Sequence, residues 1–387
     1  MKMLSLSVDQ KKVLDKLLTW QKKPKGGFIT LGGYAGTGKT TLVGIYRKKL
    51  HQDRPSLKVA FVSFTGRAAR VLKKSLSDQE ALLDQDFVGT IHSLIYSPIV
   101  SKKGQIVGWE RRREIKFDLI IIDEASMVDE AIWQDLVSYQ IPIIAVGDHG
   151  QLPPIRGHFN LMNKPDLRLE NIHRQAQDNP IIKVATIARQ HGSIPALEFS
   201  SQALKIKKTN PEAAERVANW LANYKPGMLI LCGYNNTRVR LNTQIRKNLG
   251  FDSPLPQSGD RVICLRNNHE KGIYNGMLGT VDFIEKKNSD WYAAEIAMDE
   301  ERDLYGGLVS ADQFNNKETL NFTSQRRKLK GDLFDFGYAL TVHKAQGTQA
   351  KKVVLFEERF AKSSDEDWRR WLYTAVTRAE EELYIIG

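Results

Sequence analysis

Gly33-Tyr34-Ala35-Gly36-Thr37-Gly38-Lys39-Thr40 fits the pattern G-x-x-x-x-G-K-[ST]. Phe28-Ile29-Thr30-Leu31 precedes it as a short apolar run that reads as a buried strand. Thr41-Leu42-Val43-Gly44-Ile45-Tyr46 follows as the start of a helix. Strand, glycine-rich loop and helix are the context a phosphate-binding loop requires. Glycines let backbone N–H groups turn inward around phosphate oxygens, and the helix N-terminus adds partial positive charge. Lys39 is placed to neutralise the β- and γ-phosphates, and the Thr40 hydroxyl to hold Mg²⁺.

Working outward, further apolar runs follow. Val59–Val62 leads into Phe64-Thr65-Gly66-Arg67-Ala68-Ala69. Leu119–Ile122 ends in Asp123-Glu124, and Ile143–Val146 ends in Gly147-Asp148. Runs that are apolar throughout and separated by helical segments predict a parallel sheet covered on both faces. The acidic residues then fall just past strand ends, where such sheets bind ligands. Asp123 suits a Mg²⁺ ligand, and Glu124 suits the group that orients and deprotonates an attacking water. Gln151, in Gly147-Asp148-His149-Gly150-Gln151-Leu152-Pro153-Pro154, suits a sensor of the γ-phosphate. His149 reads as a polar loop residue, since no ligand partners are spaced around it. Ser7-Val8-Asp9-Gln10 matches a capping box, with Val13, Leu14, Leu17 and Leu18 following at helical spacing.

A second set of runs comprises Met228–Leu231, Val353–Phe356 and Leu383–Ile386. From about Gly259 to Phe334 the texture changes to short strand-like pieces punctuated by glycine: Arg261–Leu265, Gly279–Ile284 and Trp291–Ile296. That predicts a small β-barrel inserted in a second α/β domain. Ile99-Val100 and Gln105–Val107 flank Ser101-Lys102-Lys103-Gly104, a predicted hairpin with a basic tip.

The 387 residues allow two or three domains. A net charge of +12 favours a polyanionic partner, nucleic acid before anionic membrane, although charge alone also serves solubility. Cys232 and Cys264 sit in apolar runs without metal-type spacing, suiting buried thiols of a reducing compartment. The N-terminus lacks a long apolar stretch, so no signal peptide is expected, and no run reaches membrane-spanning length. Two arginines, Arg174 and Arg378, are candidates for stabilising transition-state charge, though an isolated arginine is usually a solvated surface group.

The ordered motifs, GYAGTGKT, FTGRAA (Phe64–Ala69), GTIHSL (Gly89–Leu94), DEAS (Asp123–Ser126), GDHGQLPP (Gly147–Pro154), TVHKAQG (Thr341–Gly347) and YTAVTRA (Tyr373–Ala379), resemble those of superfamily 1B helicases, the RecD-like, 5′→3′ branch. TVHKAQG is the discriminating one. Tyr234-Asn235-Asn236-Thr237-Arg238 with Leu241-Asn242 and Ile245-Arg246-Lys247 resembles the phage Dda-type members, as do the short length and the inserted barrel.

The resemblance implies an α/β fold with two RecA-like P-loop NTPase domains, parallel sheets flanked by helices, carrying an inserted β-hairpin pin and an inserted SH3-like small β-barrel. Domain 1A would comprise residues 1–96 and 115–175, and the pin 97–114. Domain 2A would comprise 176–258 and 335–387, and the SH3-like insertion 259–334. ATP with Mg²⁺ would lie in the cleft between the RecA-like domains. The binding residues would be Gln10, Gly33, Gly36, Thr37, Gly38, Lys39, Thr40 and Thr41, with Thr40 and Asp123 on the metal. Lys39, Glu124, Gln151, Arg174 and Arg378 would be catalytic, both arginines as fingers. Gln10 aligns with an adenine-reading glutamine and equally serves the capping box.

Nucleic acid would meet Phe64, Thr65, Arg67, Thr90, His92, Pro153, Thr341, His343 and Lys344, with Lys102, Lys103 and Trp109 on the pin. Phe64 stacks on a base or packs in the core, and Trp109 serves the fork or packs the hairpin base. Expected partners are single-stranded DNA and forked or tailed duplex, with replication or recombination proteins; no membrane and a monomeric state are expected. The expected location is the bacterial cytoplasm, or the host cytoplasm for a phage-encoded chain. The resemblance implies an ATP-dependent 5′→3′ DNA helicase. An RNA helicase of the same superfamily and an ATPase translocase without unwinding are the other readings. Thr348-Gln349 departs from the serine and glutamate that often follow TVHKAQG in the family.

Overall fold

The structure is a computed structural model that describes residues 6–22, 27–100, 106–154, 159–172, 178–268, 271–299, 301, 303–320 and 331–387. The chain divides into two compact units, Met1–Lys183 and Val184–Gly387.

In unit 1, β1 (Phe28–Gly33), β2 (Val59–Ser63), β3 (Phe87–Thr90), β6 (Leu119–Asp123), β7 (Ile143–Gly147) and β8 (Leu167–Leu169) form a sheet. Its order is β3-β2-β6-β7-β1-β8, and every pairing is parallel. β4 (Tyr96–Val100) and β5 (Ile106–Arg111) form a separate antiparallel hairpin, longer at its base than the sequence suggested. Successive strand residues point to opposite faces, and here both faces are apolar. Phe61, Leu119, Ile121, Ile144 and Val146 enter one core, with the helices Val8–Gln21 and Lys39–Asp53. Ala60, Val62, Ile120, Ile122 and Ala145 enter the other, with Ile132, Trp133 and Leu136 of the helix Glu130–Val137. Covering on both faces explains the unbroken apolar runs.

Unit 2 holds β9 (Glu198–Ser200), β10 (Ala203–Ile206), β11 (Met228–Cys232), β17 (Ala339–Thr341), β18 (Ala350–Phe356) and β19 (Ala379–Ile386). The order is β17-β11-β18-β19-β10-β9, parallel except for the edge strand β9. Between β11 and β17, β12 (Arg261–Cys264), β13 (Leu278–Lys286), β14 (Trp291–Met298), β15 (Tyr305–Ser310) and β16 (Phe334–Phe336) form an antiparallel sheet in the order β15-β14-β13-β12-β16. The lead-in to β16 bridges back to β15 at Val309 and Asp332, so the sheet curls until its edges meet. Its last strand runs through residue 336, across the limit at 334 expected from sequence.

The helix Asn235–Asn248 anchors this insertion. Arg238 and Arg246 are buried on it. Arg238 Nη1 pairs with Asp335 Oδ2 at 2.6 Å, and Arg246 Nε with Asp260 Oδ1 at 2.7 Å. Between them, Asn242 Nδ2 donates to the Phe336 carbonyl and its Oδ1 accepts from Ala339 N–H. Positions four apart lie on one helical face. One face therefore holds both the start and the end of the inserted sheet. Both cysteines are buried and free, and among the described residues no helix is long and apolar enough to cross a membrane.

Candidate active site and nucleic-acid interface

The phosphate loop connects β1 to the helix Lys39–Asp53. Gly36 and Gly38 have φ of 79° and 74°, a region open to glycine and strained for other residues. A Cβ on Gly33 would lie 2.7 Å from Thr37 Oγ1, so that glycine is demanded by close packing. Thr37 is buried and donates its hydroxyl to the Tyr34 carbonyl at 2.8 Å. Lys39 Nζ reaches the Gly33 and Tyr34 carbonyls at 2.7 and 3.2 Å, which places the ammonium over the loop. Thr40 and Thr41 lie in the helix's first turn.

Gln10 uses both ends of its amide. Oε1 accepts from Ser7 N–H at 3.1 Å, completing the capping box, and Nε2 donates to the Thr37 carbonyl at 3.1 Å. The capping box read from sequence is formed, and the same side chain is tied to the phosphate loop. Its neighbour Asp9 accepts from Asn171 N–H at 3.3 Å, which ties the same turn to the segment after β8.

Asp123 ends β6, and Glu124 follows with φ 55°. A left-handed glutamate costs about 1–2 kcal/mol, strain that accumulates at functional sites. Burial and the Glu124 carboxylate push the Asp123 carboxyl up to about 6, while the Lys39 ammonium opposes them. Strand β7 lies between β6 and β1, so the loop after it emerges between the acidic pair and the phosphate loop. That loop is organised by buried Asp148, whose Oδ1 accepts from Gly150 N–H at 2.9 Å, and it buries Gln151. Asp148 was legible as a strand-end acid, yet its part in shaping the loop was not. His149 packs 4.2 Å from the Tyr34 ring, and neither ring nitrogen finds a partner among the described residues. Burial lowers its pKa, with Asp148 opposing.

The same sheet edge continues through β2 and β3, where Ser63 registers with both Asp123 and Thr90. Phe64 follows Ser63 and is partly buried against the core, with its ring 6.4 Å from His92. Thr65 and Thr90 each cap a helix, accepting from Ala68 and Ser93 N–H. Arg67 lies in the first turn of the helix Gly66–Asp78. Pro153 follows Gln151, and Trp109 lies opposite Pro98 on the hairpin. Lys102, Lys103 and Arg174 lie outside the described residues.

In unit 2, Thr341 ends β17, in register with Cys232. His343 and Lys344 follow in a turn. Burial lowers the His343 pKa. Burial and Arg238 push Lys344 down to about 8, with Asp335 opposing. Arg378 is buried between the helix Asp365–Val376 and β19. Its guanidinium donates to the Thr374 and Thr348 carbonyls and to Thr377 Oγ1. The departure at Thr348-Gln349 thus lies on the arginine motif, and Gln349 Nε2 also reaches the Thr377 carbonyl at 3.5 Å. Sequence gave no sign of Glu358. Its carboxylate accepts from Gly233 N–H, Tyr234 N–H and Thr237 Oγ1, capping the helix Asn235–Asn248 from a distant strand end.

No group of three or more His, Cys, Asp or Glu among the described residues forms a metal cage. Magnesium held by one carboxylate, a hydroxyl and substrate phosphates needs no such cage.

A phosphate loop, a strand-end acidic pair and an intervening sensor loop on one parallel edge define a P-loop NTPase of RecA-like architecture, here followed by a second RecA-like sheet. The AAA domain family matches residues 5–211, and the UvrD-like helicase C-terminal domain matches 336–386. The chain belongs to the AAA domain family, and it is similar to RecD-like helicases. It is similar to the ATP-dependent RecD2 DNA helicase of Deinococcus radiodurans, 27% identical over 405 residues, covering 99% of this chain and 49% of the relative. The RecBCD enzyme subunit RecD of Buchnera aphidicola is 23% identical over 444 residues, covering 93% and 70%. The chain therefore spans about half the length of the RecD2 relative. The Pif1 helicase from Bacteroides in complex with ADP-AlF3 and ssDNA shares the fold at a TM-score of 0.51 and 18% identity, covering 99% of this chain and 92% of that one. A Pif1 structure concerned with unwinding at forked dsDNA does so at 0.52 and 20%, with the same coverage.

Proposed function

We propose that the chain is an ATP-dependent helicase that moves 5′→3′ along single-stranded DNA and separates duplex. The observation that carries this reading is the shared edge of the unit 1 sheet. The ends of β1, β6 and β7 bear the nucleotide residues. The ends of β2 and β3 on that same edge bear Phe64, Thr65, Thr90 and His92. The RecD2 relative's description as an ATP-dependent DNA helicase supports it.

In this reading the loop N–H groups and Lys39 hold the triphosphate, and Gln10 faces the adenine. Thr40 and Asp123 hold Mg²⁺, which neutralises phosphate charge when bound. Glu124 accepts the proton of the attacking water, and Gln151 reports the γ-phosphate to the edge that meets DNA. Arg174 and Arg378 supply positive charge as the γ-phosphoryl group transfers. Thr341, His343 and Lys344 add a second grip on the strand, so alternating hold by the two units becomes stepping. The hairpin, with Lys102, Lys103 and Trp109, meets the fork, and the inserted sheet is SH3-like. We assign action as a monomer in a cytoplasm, beside replication or recombination proteins, consistent with two free buried thiols.

Lys39→Ala should abolish DNA-stimulated ATP hydrolysis, and retained hydrolysis would refute the site. Strand displacement on tailed duplexes decides the direction: unwinding is expected with a 5′ tail, and unwinding only with a 3′ tail would reverse the assignment. Stronger stimulation by RNA than by DNA would move the substrate to RNA.

A further inference from the structure

The hairpin β4–β5 is a two-stranded sheet with no third strand among the described residues. Such a hairpin is marginally stable in water, so an element that must resist a fork needs support at its base. The helix Glu130–Val137 and the two residues after it supply such support. Tyr96 Oη donates to Asp135 Oδ2 at 2.5 Å. Arg111 Nη1 donates to Ser138 Oγ, and its guanidinium lies 5.2 Å over the Tyr139 ring. Tyr139 Oη lies 2.7 Å from the Arg112 carbonyl and 3.1 Å from the Ile95 carbonyl. Arg112 closes the base, its N–H donating to Ile95 and its Nε to the Tyr96 carbonyl.

Asp135 belongs to the helix Glu130–Val137, with Ser138 and Tyr139 at its end. That helix is capped by Asp129, just beyond the short turn Ala125–Met127 that follows Glu124. Tyr96 is also the C-cap residue of the helix bearing His92, and its ring lies 5.5 Å from that imidazole. Both strands of the hairpin are thus fastened to the helix that continues from the acidic pair.

We propose that Tyr96, Asp135, Arg111 and Tyr139 form a clamp that fixes the hairpin to the helix downstream of Asp123-Glu124, so that force from the nucleotide cycle reaches the fork. These are positioning residues. None of them is assigned to bind nucleotide or DNA. The proposal rests on the helicase reading for its second half, the delivery of force, and on geometry alone for its first.

The test uses the intact protein with Tyr96→Phe and Tyr139→Phe, singly and together. These changes remove hydroxyl donors and keep the rings. Without DNA or nucleotide, amide exchange in residues 96–100 and 106–111 of the double variant should quicken about tenfold, as lost hydrogen bonds permit local opening. Unchanged exchange would overturn the clamp whether or not the protein unwinds. With DNA, base pairs separated per ATP hydrolysed should fall about tenfold, while hydrolysis on single-stranded DNA stays within about twofold of wild type. An unchanged ratio, or a parallel loss of both activities, would overturn the coupling. A wild-type protein that hydrolyses ATP and separates no strands would refute the helicase reading, and the exchange measurement would still decide the clamp.

Discussion

Gln10 makes a contact that sequence alone did not disclose. Its carbonyl end caps a helix and its amide end touches the phosphate loop. Gln10→Ala should therefore lose about 1 kcal/mol of stability and raise the KM for ATP about tenfold. Ser7→Ala should share the stability loss and leave KM unchanged; a raised KM there would reduce Gln10 to a cap. Thermal melts and steady-state hydrolysis measure both. Lys344 was legible as a motif residue, whereas its depressed pKa depends on burial and on the charge of Arg238, a residue distant in sequence. Its ammonium is half deprotonated at about pH 8, below the ordinary lysine range, with Asp335 the carboxylate opposing that loss. A bound phosphate favours the charged form, so binding takes up a proton above that pH. Affinity for single-stranded DNA should fall as pH rises from 7 to 9, and Lys344→Arg should flatten the fall. A wild-type profile that is already flat would remove Lys344 from the interface.

At the scale of elements, the long parallel strands announced themselves because burial on both faces leaves no polar position. The short ones did not. Tyr305–Ser310 contains two glycines, Phe334–Phe336 is three residues long, and each is a strand only because a neighbour pairs with it. The helix Asn235–Asn248 is the reverse case: its residues were visible as a family likeness, but their purpose required the fold. Arg238, Asn242 and Arg246 share a face because the inserted sheet leaves and rejoins the domain there. Arg246→Ala would remove the charge partner of buried Asp260, which keeps hydrogen bonds from Tyr338 Oη and Gln257 N–H, and should cost about 3–5 kcal/mol, as should Arg238→Ala through Asp335. Urea unfolding of the variants measures this, and a loss below about 1 kcal/mol would show that the pairs contribute little.

For the whole molecule, a net charge of +12 is a statement about partners before it is one about fold. Affinity for single-stranded DNA should fall linearly on a log–log plot against salt, by about 0.7 per phosphate contacted. Lys344→Ala should reduce that slope by about 0.7, and an unaltered slope would place the lysine away from phosphate. Charge and motif order were readable from the chain. The link from Thr348 to Arg378 was not, because it joins the approaches to β18 and β19, strands that are neighbours in the second sheet but separated in sequence.

The doorway of the inserted sheet has a consequence for inheritance. Gly337 N–H donates to the Arg261 carbonyl at 2.8 Å, so departure and return are one hydrogen bond apart. A Cβ on Gly337 would come within 2.8 Å of the Val262 carbonyl, so glycine is needed at that threshold. Material grafted between such closely spaced ends imposes little entropic penalty on the host fold. Descendants of this chain can lengthen, trim or exchange the graft while the second RecA-like sheet stays unaltered. Over evolutionary time, variation in length should therefore collect beyond that doorway and leave the strands on either side of it constant.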